Sequence, residues 1–284
     1  MVQAPSARPG AAERMPALSL LSYNCFGVPT PSARRRLLAL ARELAARADD
    51  VVCLQEVQAH AYSRLLTAAC AASHPYHSAV PFVYAPKGGL LTLSRAPIEA
   101  QEFVLFRARD VVAAPALMDW ALHKGVLLTR LRAAGLPIAL LNTHLSANYS
   151  ADWSRENRYA RVEWRQLEQL AGLVRAQPPE ALVLVAGDFN IPRGSWLYRE
   201  FLAASGLADP LAGDLRPSHR TPPGIPAHLA RPIDYALLRA PCADLRAESA
   251  YRLDAPLALG ARRVGFLSDH NAVELRLEWP AAAG

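Results

Sequence analysis

At six places in this chain a short apolar run borders a carboxylate, an asparagine or a histidine. Asn24 follows Leu20-Leu21-Ser22-Tyr23, and Glu56 follows Val52-Cys53-Leu54-Gln55. Asn142 and His144 follow the run over 138–141, and Asp188 and Asn190 follow that over 182–187. Asp234 opens one run and Asp269-His270 precede another. Runs of this length, bounded by polar or turn residues, read as strands covered on both faces. A strand that delivers a polar side chain at its tip suits a site mounted on the rigid edge of a sheet. Taken singly, each of these residues is an ordinary turn or cap; their order along one chain is far more specific.

The spacing predicts strands over 18–25, 51–54, 126–131, 138–144, 181–186, 233–238 and 272–277, with two more flanking Gly88-Gly89. Helices are expected over 32–47, 59–72 and 153–175. In the last, Leu167, Leu170 and Val174 share one face, with Arg155, Arg158, Arg161 and Arg165 opposite. That arginine stripe reads either as a solvated surface or as a face for phosphate or lipid. Residues 213–230 read as a long Pro-, Arg- and His-containing loop, a plausible rim for a pocket. No repeat or linker interrupts the pattern, so one domain is expected over 18–279, with a flexible tail over 1–17 and a short one over 280–284. Strands interleaved with a few helices indicate a sheet-containing α/β core covered by helices.

With 52% hydrophobic and 20% charged residues, the chain is not disordered throughout. No apolar stretch approaches the roughly 18–20 residues of a membrane span, and no signal-peptide pattern is read. Cys25, Cys53, Cys70 and Cys242 form no CxxC pair; buried free thiols and a cytoplasmic location are expected. The net charge of +6 favours anionic partners. Of the 31 basic residues only Lys87 and Lys124 are lysines, which draws the eye to both.

Asn24, Glu56, Asp188 and Asp269 are hard oxygen donors suited to Mg²⁺ or Ca²⁺ rather than to a zinc cage. His144 and His270 could bind a phosphate or move a proton. The blocks LSYNCFG (21–27), LQEV (54–57), NTHLS (142–146), GDFNIP (187–192), PIDYALL (232–238) and SDHNAV (268–273) resemble the endonuclease/exonuclease/phosphatase superfamily over nearly the whole chain. The resemblance implies a deoxyribonuclease-I-like, four-layer α/β sandwich of two mixed β-sheets flanked by helices, with the active site at one edge. It also implies Glu56 as principal Mg²⁺ ligand with Asn24 close by, and Mn²⁺ as a substitute.

Three features lean toward neutral sphingomyelinases. Asp119 to Gly125 resembles their D-x4-K box, Asn142 to Tyr149 resembles their THLHAEY-type stretch, and an Arg-containing helix follows. The animal enzymes carry membrane segments and the secreted bacterial ones carry signal peptides, neither of which is read here. The expected activity is thus a Mg²⁺-dependent, neutral-sphingomyelinase-like phospholipid phosphodiesterase, expected as a monomer, with peripheral membrane contact open. Nucleases, inositol polyphosphate-type phosphatases and a non-catalytic phosphate-binding relative are the alternatives. In this scheme His270 is the general base and Asp234 fixes its tautomer, with Asp188 competing for the base role. Asn190 orients phosphate or water, His144 and Lys124 hold phosphate, and Asp269 touches the metal directly or through water. Asn142 either supports the site or contacts substrate, and Trp120 and Trp196 serve either the core or an interface.

Overall fold

A computed structural model of the chain describes residues 15–47, 49–108, 123–221, 224–260 and 263–280. In order, its elements are β1 (Ala17–Asn24), α1 (Ala33–Arg47), β2 (Val51–Gln55), α2 (His60–Cys70), β3 (Tyr76–Ser78), β4 (Leu91–Ser94), β5 (Ile98–Leu105), β6 (Gly125–Ala133), β7 (Leu136–His144), α3 (Arg158–Arg175), β8 (Leu182–Asp188), α4 (Trp196–Ser205), β9 (Asp234–Arg239), β10 (Arg246–Arg252), β11 (Leu257–Gly260), β12 (Arg263–Gly265) and β13 (Ala272–Glu278). Two mixed sheets result, one ordered β10-β13-β1-β2-β4-β3 and the other β5-β6-β7-β8-β9, beside a small β11-β12 hairpin. Among the described residues only β1–β2 and β7–β8 pair in parallel.

Side chains alternate between the two faces of a strand, and the core divides accordingly. Leu18 and Leu20 of β1, Val51 and Cys53 of β2, Ile138 and Leu140 of β7, and Leu182 and Leu184 of β8 share one apolar cluster between the sheets. The intervening Leu21, Tyr23, Val52 and Leu54 pack instead with Leu37, Leu40 and Leu44 of α1 and Leu66 of α2. On the far side, Leu141, Val183, Val185 and Leu237 pack with Leu167, Leu170 and Val174 of α3 and Phe201 of α4. Helix, sheet, sheet and helix therefore stack as four layers. Each central strand is buried on both faces, which is why its sequence is a continuous apolar run.

The helix expected over 153–175 begins at Arg158. The Asn157 side chain accepts from the Tyr159 and Ala160 backbone N–H groups and caps it. Residues just before it are tied by Asp152, which accepts from the backbone N–H of Ser154 at 2.8 Å. Arg155 therefore precedes the helix and lies over the Trp196 ring at 4.2 Å. Arg158, Arg161 and Arg165 are exposed, opposite the buried leucines. Trp196 packs half-buried against the α3–α4 core. Gly88-Gly89 fall in a tight turn at Lys87–Gly89, with β4 following and β3 some residues earlier. The 213–230 loop contains one short helical turn, Ala227–Leu229. Cys25, Cys53 and Cys70 are buried free thiols and Cys242 is an exposed one. Among the described residues, no helix is long and apolar enough to cross a membrane. Asp119, Trp120 and most of both tails lie outside the described residues.

Candidate active site

The same alternation places the polar strand tips. Continuing from Leu20, Cys53, Leu140, Leu184 and Ala236, every second residue reaches Asn24, Gln55, Asn142 and His144, Asp188 and Asp234. All point into the inter-sheet space where its apolar filling stops. Register aligns them: Asn24 pairs with Gln55, His144 with Asp188, and Asp188 with Asp234. Beneath them, Gln55 Nε2 donates to Asn142 Oδ1 at 2.9 Å. Asn142 Nδ2 in turn donates to the Leu54 and Leu91 carbonyls at 3.3 and 3.2 Å. Asn142 thus ties the two sheets together under the site, and among the described residues its side chain bonds only to groups of β2 and β4.

Asn24 is the hub of those groups. Its Nδ2 donates to Glu56 Oε1 at 3.0 Å and to Asp188 Oδ2 at 2.9 Å, and lies 3.4 Å from His270 Nε2. Its Oδ1 accepts from the Phe26 backbone N–H at 3.1 Å. His270 Nδ1 faces Asp234 Oδ2 at 2.9 Å, leaving Nε2 toward Asp188, 3.8 Å from Oδ2. His144 Nε2 lies 3.5 Å from Asp188 Oδ2. Ligand atoms of Glu56, His144 and Asp188 lie within 4.8 Å of one another, as do those of Asp188, Asp234 and His270. Asn190 donates its backbone N–H to Asp188 Oδ1 at 3.0 Å and its side chain to the Leu145 carbonyl at 3.0 Å. Buried Lys124 donates Nζ to the same carbonyl at 2.6 Å. Asp269 stands half-buried at the rim, its Oδ1 3.1 Å from Ser268 Oγ, whose proton goes to the nearer Asn24 carbonyl.

Backbone constraint accompanies this geometry. Phe26, Glu56, His123 and Asn190 all have φ between 47° and 58°, a region that costs a non-glycine residue free energy and that gathers at functional sites. Gly187, in the GDFN block, has no alternative: a Cβ there would sit 1.9 Å from the Thr143 carbonyl oxygen.

Burial pushes the Glu56 carboxyl above its ordinary range, and the Asn24 hydrogen bond offsets this only in part. Asp188 is likewise raised by burial, with His270 opposing. Burial, reinforced by Lys124 and His270, holds His144 well below the usual imidazole value. For His270, burial also pulls downward, but Asp234 and Asp188 outweigh it and hold the ring well above that value. Three buried atoms of the site residues named here have no hydrogen-bond partner, Glu56 Oε2, His144 Nδ1 and Gln55 Oε1. A carboxylate oxygen left this way is costly unless a cation completes it, so the oxygen-rich donor set fits a hard divalent ion.

One participant escaped the sequence reading. Ser218 Oγ accepts from the Ile233 and Asp234 backbone N–H groups at 2.9 and 3.1 Å. With both lone pairs engaged, its proton goes to Asp234 Oδ2 at 2.5 Å. Ser218, Asp234 and His270 therefore form one fixed chain. The only sequence signal was the position of Ser218 in the expected rim loop.

Residues 21–270 match the model of the Endonuclease/Exonuclease/phosphatase family. A Drosophila melanogaster protein provisionally named neutral sphingomyelinase is 30% identical over 92% of this chain and 60% of its own length. An inositol phosphosphingolipids phospholipase C of Schizosaccharomyces pombe is 32% identical over 69% of this chain and 46% of its own. The chain thus spans about half the length of such relatives. Among solved structures, sphingomyelinase C from Streptomyces griseocarneus superposes with a TM-score of 0.68 at 27% identity, covering 92% of this chain and 99% of that one.

Proposed function

The chain belongs to the Endonuclease/Exonuclease/phosphatase family, and from that premise we propose that it is a divalent-metal-dependent phosphodiesterase acting on a sphingolipid-type phosphodiester. The observation that carries the hydrolytic reading is the convergence of Glu56, Asn24, His144, Asp188, Asp234 and His270 on one buried point with Glu56 Oε2 unpartnered. The lipid reading draws support from the sphingolipid-directed names of the relatives and from buried Lys124 beside the cluster.

Glu56 would hold the ion through its free oxygen, with Asn24 contributing once its amide turns and Asp269 adding a donor from the rim. The ion, Mg²⁺ by the chemistry of these donors with Mn²⁺ as substitute, would polarise a phosphate oxygen and neutralise developing charge. His270 is oriented by Asp234 through Nδ1, so Nε2 is the atom that faces the attacking water; beside a bound cation the charged ring is disfavoured, which leaves Nε2 free to take the water's proton. Asp188 faces the same Nε2 and helps to hold the resulting imidazolium. His144 and Lys124 bind phosphate oxygens, and Asn190 positions phosphate or water at the tip of β8.

The direct test is an assay of the purified protein on sphingomyelin, an inositol phosphosphingolipid, plasmid DNA and inositol polyphosphates in parallel. Hydrolysis of a sphingolipid diester that is abolished by EDTA and restored by Mg²⁺ or Mn²⁺ is expected. Full activity in excess chelator, or turnover confined to DNA, contradicts the proposal.

A further inference from the structure

Beside the catalytic cluster opens a pocket of about 350 Å³ walled by Phe26, Arg36, Arg220, Phe266, Ser268 and Asp269. That is within the ordinary size range of small-molecule sites. Its wall is bonded to the cluster: Ser268 Oγ donates to the Asn24 carbonyl at 2.7 Å and Phe26 N–H donates to the Asn24 side chain at 3.1 Å. Arg220 donates Nη1 to the Ser268 and His270 carbonyls at 3.3 and 3.2 Å. The pocket wall and the catalytic loop are therefore one bonded unit.

Its electrostatics are unusual for an aromatic-walled pocket. The Arg36 guanidinium lies over the Phe26 ring at 5.0 Å and that of Arg220 over Phe266 at 3.7 Å. Backbone carbonyls fix Arg36: Leu267 at 2.8 Å, Phe26 at 2.6 Å and Cys25 at 3.3 Å. Arg220 also donates to the Asp254 backbone carbonyl and the Asn271 side chain. Among the described residues neither guanidinium forms an ion pair with a carboxylate. Of the wall residues only Asp269 is acidic, so two fixed positive charges face one negative.

A quaternary ammonium is recognised by open aromatic faces and a surplus of negative charge. Here a cation already covers one face of each ring and the net charge is positive. Guanidinium groups instead suit hydroxyl, carboxylate and phosphate oxygens as acceptors. We propose that this pocket receives the substrate's headgroup and selects an oxygen-rich one of the polyol class over a quaternary ammonium. The inference rests on the phosphodiesterase reading of the adjacent cluster and sharpens its substrate. It favours an inositol-type headgroup over phosphocholine, a distinction the names of the relatives leave open.

The test compares two free headgroups that share the phosphate and differ only in what enters the pocket. Inositol 1-phosphate and phosphocholine would be titrated calorimetrically into the full chain with Mg²⁺ present. The expected result is about tenfold tighter binding of inositol 1-phosphate, the scale set by one net unit charge about 10 Å away in a partly screened site. Phe266→Glu, at a residue 38% exposed, and Arg220→Gln each cancel that net charge and should bring the two affinities together. Equal or tighter phosphocholine binding by the parent protein, no binding of either headgroup, or a ratio unmoved in both variants would overturn the proposal. Hydrolysis of bis(4-nitrophenyl) phosphate, which has neither headgroup, reports on the cluster alone. Its absence would count against the phosphodiesterase reading, whereas the binding ratio still decides the pocket.

Discussion

Buried carboxylates occur at two places on the β1–β2–β13 sheet, and they are treated in opposite ways. Glu274, in the middle of β13, is met by Arg47 Nη2 at 2.5 Å, Arg252 Nη2 at 2.8 Å and Arg276 Nε at 3.2 Å. Burial would raise its pKa, but the three arginines overcome this and hold it below the ordinary range. Glu56, just beyond the tip of β2, has no arginine or lysine partner among the described residues, and burial leaves its pKa raised. Asp188 shares that condition. One region neutralises its charge within the chain. The other leaves Glu56 Oε2 without a partner, next to strained backbone at Phe26, Glu56, His123 and Asn190. Such a site is less stable than it could be, as expected where a ligand supplies the missing partner.

Four substitutions probe this contrast. The largest effect is expected for His270→Ala, with kcat lowered by about 10²–10⁴ and KM changed far less. Asp234→Asn should follow in the same direction, since the ring loses its orienting anion. Unchanged circular dichroism and parental turnover in both would remove His270 from the base role. Ser218→Ala comes next. It should lower kcat by about tenfold at nearly constant KM, because Asp234 loses its hydroxyl donor while the site keeps its charged groups. A pure loss of stability with no kcat change would make Ser218 a loop anchor only. Glu274→Gln should leave kcat unaffected and cost about 1–3 kcal/mol in urea unfolding at pH 7. The folded-state pKa of Glu274 is depressed, so its contribution is complete above the unfolded value and is lost as pH falls through the folded one. The gap between parent and variant should therefore narrow as pH falls below the ordinary glutamate range and close at still lower pH.

Much of this was legible from residue order because the chemistry rides on strand periodicity. Strands apolar on both faces announce themselves, and a polar residue that continues the inward phase marks the tip, as Ala186 to Asp188 does. Elements without that signature were missed. In β5 the outer residues Glu99, Ala100, Gln101 and Glu102 are exposed, and β10 reads Arg-Ala-Glu-Ser-Ala-Tyr-Arg at the sheet edge. Neither shows an apolar run, and their pairing is imposed by neighbours. Helix α4 is short, and its cap, Ser195 accepting from Tyr198 N–H at 3.2 Å, follows a Pro- and Gly-containing turn that resembles a loop. Lys124 stood out because the chain is otherwise so rich in arginine. Ser218 and Arg220 could not, since a serine and an arginine in a loop take their meaning from contacts 16 to 50 residues away.

The account depends on the free Glu56 oxygen awaiting a cation, and thermal unfolding of the parent and Glu56→Gln, each with and without Mg²⁺, tests that most directly. Without metal, the variant should melt at or above the parent temperature, because an uncompensated buried charge is removed. With Mg²⁺ at about 100 times its Kd, the parent should gain about 2.7 kcal/mol, which raises its Tm by several degrees, while the variant barely responds. An equal Mg²⁺-induced shift in both proteins, or a metal-free variant less stable than the parent with no Mg²⁺ response from either, would contradict the account.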